Sequence, residues 1–201
     1  MEVSSHQINE YAKRLGYARI RILVRNGFYG LLLMHMLFSL DETCETVATD
    51  GKRICFSPAF LDTLKDSELD FVLCHEILHV ALRHCFRARG KDKNVFDRAC
   101  DIVVNSNILY SENGNLSAIT TRRYGVAAHT APDGKEGACY TAEQVYAMLQ
   151  ASSFPKGREP LSVGNHAGKE SKSVNEKSGK AKNKPKSRKD KKANVKPTPV
   201  P

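Results

Sequence analysis

Apolar positions near the start of the chain recur every three to four residues. In "INEYAKRLGYARIRILVRN", Ile8, Tyr11, Leu15, Ala18 and Ile22 share one face, and Arg25 continues the same spacing. This pattern predicts an amphipathic helix. The run from Phe28 to Leu40 is too uniformly apolar for periodicity to type it, and a buried helix or strand would fit it equally well. Next come "ETVAT" and "RICFSP", two short stretches separated by Asp50-Gly51. They read as a hairpin, because glycine supplies the positive φ such turns require, and Pro58 ends the second strand. The segment after it holds the main helix. Ser67 is its expected N-cap, with Asp70 as capping-box partner, and Gly90 is its expected stop.

Within that helix Leu69, Val72, Leu73, Glu76, Ile77, Val80 and Leu82 fall on no single stripe, which predicts burial on more than one side. A second helix is expected over about Asn94 to Tyr110. A long loop, Ser111 to Gly137, follows it. A last helix begins at Thr141, with Gln144 completing its capping box, and runs to about Gln150. The pattern predicts an α+β body over 1–154, with a small sheet and several helices. Beyond it, residues 155–201 contain too few apolar side chains to offset the entropy of ordering, and are expected to be a disordered tail.

Charge follows the same division. The tail carries 14 Lys and Arg against 4 Asp and Glu, so the formal charge of +9 for the whole chain resides there and the body is close to neutral. The tail lacks aromatic residues for base stacking, so any nucleic-acid binding through it would be electrostatic and non-specific. The first residues show no secretory pattern, and the most apolar segment, Gly27 to Leu40, is too short to span a membrane. Six cysteines without CxxC spacing read as reduced thiols, and the expected compartment is the cytoplasm.

The candidate chemistry lies in "LCHEILHVALRHC". His75-Glu76-Ile77-Leu78-His79 is an H-E-x-x-H motif, whose two imidazoles lie four residues apart on one helix face and can reach one ion. Glu76 is placed to act as general base on a metal-bound water rather than to ligate, and two imidazoles with a carboxylate suit Zn2+. From Val72 to Ala81 Glu76 is the only charged residue, and a cation beside a buried carboxylate removes the cost of burying it. A core helix whose histidines bond to backbone carbonyls is the structural alternative.

A catalytic zinc needs a third protein ligand. Asp97, Asp101 and Asn105 share a face of the second helix, and His129 lies in the loop. Asp101, next to "IVV", is the most apolar in its surroundings, although an ion pair with Arg98 or an arginine of the main helix would also account for it. Asp97 reads as a surface or supporting residue, and His129 as a transition-state donor or third ligand. On an ideal helix His84 points about 140° away from His79, so it is excluded as a ligand and left a capping or supporting role. Cys74 and Cys85 read as small core residues.

The blocks "VATDGKRICFSPAFLDTLKDSELDFVLCHEILHVALRH", "RACDIVVN" and "YTAEQVYAML" together resemble the putative metallopeptidase domain family, over about Leu23 to Leu149. Members of that family often precede a von Willebrand factor A-like domain. The resemblance implies a compact zincin-like fold with a small sheet against the active-site helix. It also implies His75, His79 and Asp101 as zinc ligands, Glu76 as general base, and a peptide or protein substrate. This chain carries a lysine-rich tail where the A-like domain would stand, so it is expected to be a stand-alone version or a fragment of a longer protein, with the partner's role absent or supplied in trans. A catalytically inactive zinc-binding interaction or regulatory module is the alternative function.

Overall fold

The computed structural model describes residues 4–112 and 128–152, together with the backbone of three short strand segments at 120–121, 125–126 and 198–200. Most of the expected tail therefore lies outside the described residues, as does much of the loop before residue 128.

Helix α1 (Ser5–Arg25) starts at a capping box the periodicity did not reveal. Ser4 Oγ accepts from the Gln7 amide, and Gln7 Oε1 accepts from the Ser4 amide. The helix buries Tyr11, Leu15, Ala18 and Ile22, the face predicted from their spacing. Asn26 ends α1, and its side chain caps α2 (Gly27–Met34). The two helices cross closely at Gly30, where a Cβ would lie 2.3 Å from Leu23 Cα.

The apolar run that periodicity could not type divides at His35. It is helix up to Met34 and strand β1 from Leu37 to Leu40. Strands β2 (Val47–Thr49) and β3 (Arg53–Phe56) form the expected antiparallel hairpin. At its turn Gly51 has a φ of 89°, and Asp50 Oδ1 accepts from the amides of Lys52 and Arg53. Strand β1 pairs parallel to β3. The last strand, β6 (Thr198–Val200), falls within the segment expected to be a disordered tail and lies antiparallel on the outer edge of β1. The sheet order is therefore β2-β3-β1-β6.

Pro58 does more than end a strand, because it opens the short helix α3 (Pro58–Thr63). Its fixed φ suits the first helical turn, where its missing N–H costs nothing. The main helix, α4, spans Asp66–Ala81 and begins slightly earlier than a Ser67 cap would place it. Its N-cap is Lys65, whose amide donates to the Glu68 carboxylate at 2.8 Å. Asp70, expected to serve that cap, instead receives Arg21 of α1 at 2.8 Å and ties the two helices together. Every residue of α4 from Glu68 to His79 is buried, as the absence of a single stripe predicted.

The main helix also stops well before Gly90. Arg83 adopts a left-handed backbone, with φ 57°, and a separate short helix α5 (His84–Arg87) follows. Helix α6 (Lys93–Ser111) starts at Asp92, whose side chain accepts from the Val95 amide. Strands β4 (Thr120–Thr121) and β5 (Gly125–Val126) pair with each other. A 3-10 turn at Gly137–Cys139 leads into α7 (Ala142–Ala151), capped by Thr141 and Gln144 as expected. The larger core joins α1, α2, the sheet, α3 and α4. A smaller one joins α6 and α7 through Ala99, Ile102, Val103, Val145 and Leu149. Helix α6 contributes to both cores, so its ends and register are fixed from two sides.

Candidate metal centre

The i, i+4 spacing on α4 brings the His75 and His79 rings together, with Nε2 atoms 3.0 Å apart. From the facing helix α6, Asp101 Oδ1 lies 3.4 Å from His75 Nε2 and 3.3 Å from His79 Nε2. The three atoms form a nearly equilateral triangle. Donors bound at zinc distances in tetrahedral geometry stand about 3.3 Å from one another, so the triangle already has the size an ion requires. His75, His79 and Glu76 are 1%, 0% and 0% exposed, whereas the Asp101 side chain is 19% exposed. Of the three donor residues, Asp101 is the one that is partly exposed.

The other ring nitrogens are held from behind. His75 Nδ1 lies 3.0 Å from Asn105 Oδ1. His79 Nδ1 lies 3.2 Å from His84 Nδ1. Both contacts leave Nε2 as the outward-facing atom on each ring, the usual arrangement around a metal-ligating histidine. The left-handed turn at Arg83 explains the second contact. An unbroken helix would carry His84 away, but the break folds it back behind His79, and His84 is not among the converging donors.

Charge reinforces the triangle. Burial works against a charged His75, but the hydrogen bond and charge of Asp101, with Glu76 adding, raise its pKa overall. Burial likewise opposes an ionised Asp101, and the two imidazoles outweigh it and hold the carboxyl well below the ordinary range. Glu76 is also close enough to add to the effect of burial in pushing up the Cys85 thiol.

The remaining candidates separate clearly. Asp97 pairs with Lys93, one turn away on α6, and takes no part in the triangle. Asn105 meets His75 at Nδ1, on the side of the ring opposite Nε2. His129 Nδ1 meets Glu136 at 3.1 Å and is not among the converging donors. The described ion-pair partners of Asp101 are His75 and His79 rather than an arginine. Cys74 is buried, its thiol pushed up to about 12 by burial. The sequence placed Asn105 on the face of Asp101 but gave no sign that it would serve His75. Its role depends on where α6 crosses α4.

Two imidazoles and a carboxylate converge between two helices of an α+β domain, and among the described residues His75, His79 and Asp101 form a group that could hold a metal ion. The chain belongs to the family described as "Putative metallopeptidase domain", which it matches over residues 10–200. No curated protein and no solved structure matches it. Membership implies a metal ion and a peptide or protein substrate. Among the described residues no helix is long and apolar enough to cross a membrane.

Proposed function

We propose that this protein is a zinc-dependent metallopeptidase in which His75, His79 and Asp101 hold the metal and Glu76 is the general base. The observation that carries the reading is the convergence of three donor atoms, 3.0–3.4 Å apart, beside a buried glutamate of the same helix. The donor chemistry fits Zn2+, which favours imidazole and tolerates one carboxylate. When bound, zinc polarises a scissile carbonyl and acidifies water towards a pKa of about 7.

The residues of the chain do the rest. Two neutral imidazoles and one carboxylate leave the centre with a net positive charge. Asn105 and His84 fix the ring orientations from behind. Glu76 accepts the proton of the attacking water and delivers it to the departing amine nitrogen, and its burial keeps bulk water from levelling its basicity. The partial exposure of Asp101 leaves one approach to the centre for a peptide.

The test is Glu76→Gln beside His75→Ala, with zinc content and peptide hydrolysis measured on each. We expect Glu76→Gln to keep stoichiometric zinc and lose hydrolysis, and His75→Ala to lose both. Hydrolysis at the wild-type rate in Glu76→Gln overturns the base assignment. A zinc bound by four protein ligands would identify a structural or regulatory centre instead.

A further inference from the structure

Asn105 is buried on α6, one turn beyond Asp101, and its amide is committed at both ends. Nδ2 lies 2.9 Å from the carbonyl oxygen of Ala128, and Oδ1 lies 3.0 Å from His75 Nδ1. A backbone carbonyl can only accept, so the atom facing Ala128 is the amide N–H. Oδ1 must then face His75, and it too can only accept. His75 therefore carries a proton on Nδ1, and Nε2 is the ring atom turned towards Asp101 and His79. The orientation of one amide, set by a loop carbonyl, decides the tautomer of a buried imidazole.

That loop is held along the same stretch of α6. The Ser106 hydroxyl, next to Asn105 and also buried, donates to Glu136 Oε2 at 2.7 Å. Glu136 in turn meets His129 Nδ1 at 3.1 Å. Gly137 packs on the Ile102 carbonyl so closely that a Cβ would lie 2.5 Å from its oxygen. Ala131 is buried in the core shared by α6 and α7. Residues 128–137 thus rest on Ile102, Asn105 and Ser106, the neighbours of the proposed ligand Asp101.

We propose that Asn105 is a positioning residue that couples the loop 128–137 to His75, so that the docked loop holds a proton on His75 Nδ1 and keeps Nε2 facing the donor triangle. The functional meaning rests on the metallopeptidase reading, in which Nε2 ligates. The coupling itself is a property of the metal-free chain. It is also reciprocal, because whatever stabilises the tautomer stabilises the docked loop equally.

The experiment uses metal-free full-length protein at alkaline pH, where the imidazole is neutral. Nitrogen NMR reads the His75 tautomer, and amide hydrogen exchange reads residues 128–137. Asn105→Asp keeps an acceptor for His75 but sets an oxygen against the Ala128 carbonyl. It should preserve the Nδ1–H tautomer while loop exchange accelerates by about tenfold, the scale of one lost hydrogen bond. Asn105→Leu, or Asn105→Ala should leucine prevent folding, should accelerate the loop and also populate the Nε2–H form. An unchanged tautomer in the leucine or alanine variant, or wild-type loop exchange in Asn105→Asp, overturns the coupling.

Zinc titration separates this from the metallopeptidase reading. Asn105→Leu should weaken zinc binding by about 10–100-fold, the usual cost of losing such a partner, and Asn105→Asp should bind within a few-fold of wild type. A wild-type protein that binds no zinc would overturn the function proposed above, while the NMR and exchange results would still decide the coupling.

Discussion

At the scale of single residues, Asp101 and His84 make different kinds of contribution. Asp101 closes the donor triangle from another helix, so Asp101→Asn should retain the fold and lose stoichiometric zinc, as metal analysis of the purified protein would show. An amide in its place offers only a neutral oxygen to a centre already built from neutral imidazoles. His84 never faces the triangle. Replacing it with alanine should weaken zinc binding by about 10–100-fold without abolishing it, because His79 loses the partner that fixes its ring. A competition titration with a chelator distinguishes the two outcomes, and equal losses would refute the division of roles.

Among the elements, two backbone features shape the packing around the site helix. Gly30 lets α2 lie against Leu23 of α1, and an added methyl has no space there. Gly30→Ala should destabilise the protein by about 1–3 kcal/mol through overpacking, measured by denaturant unfolding. At Arg83 the expectation has the opposite sign. A left-handed backbone costs a non-glycine residue roughly 1 kcal/mol, so Arg83→Gly should be neutral or stabilising while leaving His84 behind His79. Marked destabilisation by glycine at 83 would mean that the arginine side chain, stacked 5.6 Å from the Phe86 ring, holds the turn instead.

For the molecule as a whole, α5 and α7 are joined by the ion pair of Arg87 and Glu143, with Arg87 Nε 2.9 Å from Glu143 Oε1. The Arg87 hydrogen bond holds the Glu143 pKa below its ordinary 4.5, although burial pulls the other way. A carboxyl whose folded pKa is depressed contributes stability above its unfolded pKa and loses it as pH falls through the folded one. Denaturant unfolding at neutral pH and near pH 3 should therefore show a smaller acid loss in Glu143→Gln than in wild type. The difference should stay below about 1 kcal/mol, because both side chains are partly solvated. An identical acid loss in both proteins would show that this pair contributes nothing to the linkage between the helices.

The sequence by itself determined the elements whose signals are local. Helical spacing marked the buried face of α1, Asp50-Gly51 marked the hairpin, and Thr141 with Gln144 marked the start of α7. The same locality made His75 and His79 legible as a pair, since i, i+4 on a helix is itself a distance. It failed where a choice depended on contacts distant in sequence. The Phe28–Leu40 run divides between helix and strand because Leu37–Leu40 finds β3 to pair with, and nothing in the run encodes its partner. Asp70 left its expected cap because Arg21 lies opposite it across α1 and α4. Asp97, Asp101 and Asn105 share one helix face, on which apolar neighbours favour Asp101 without locating the partners of any of the three. The crossing of α6 over α4 made Asp101 the third point of the triangle, put Asn105 behind His75, and left Asp97 to Lys93. Spacing along one helix is fixed by backbone geometry, whereas the meeting of two helices is fixed by which side chains can be buried together, and only the tertiary structure resolves that.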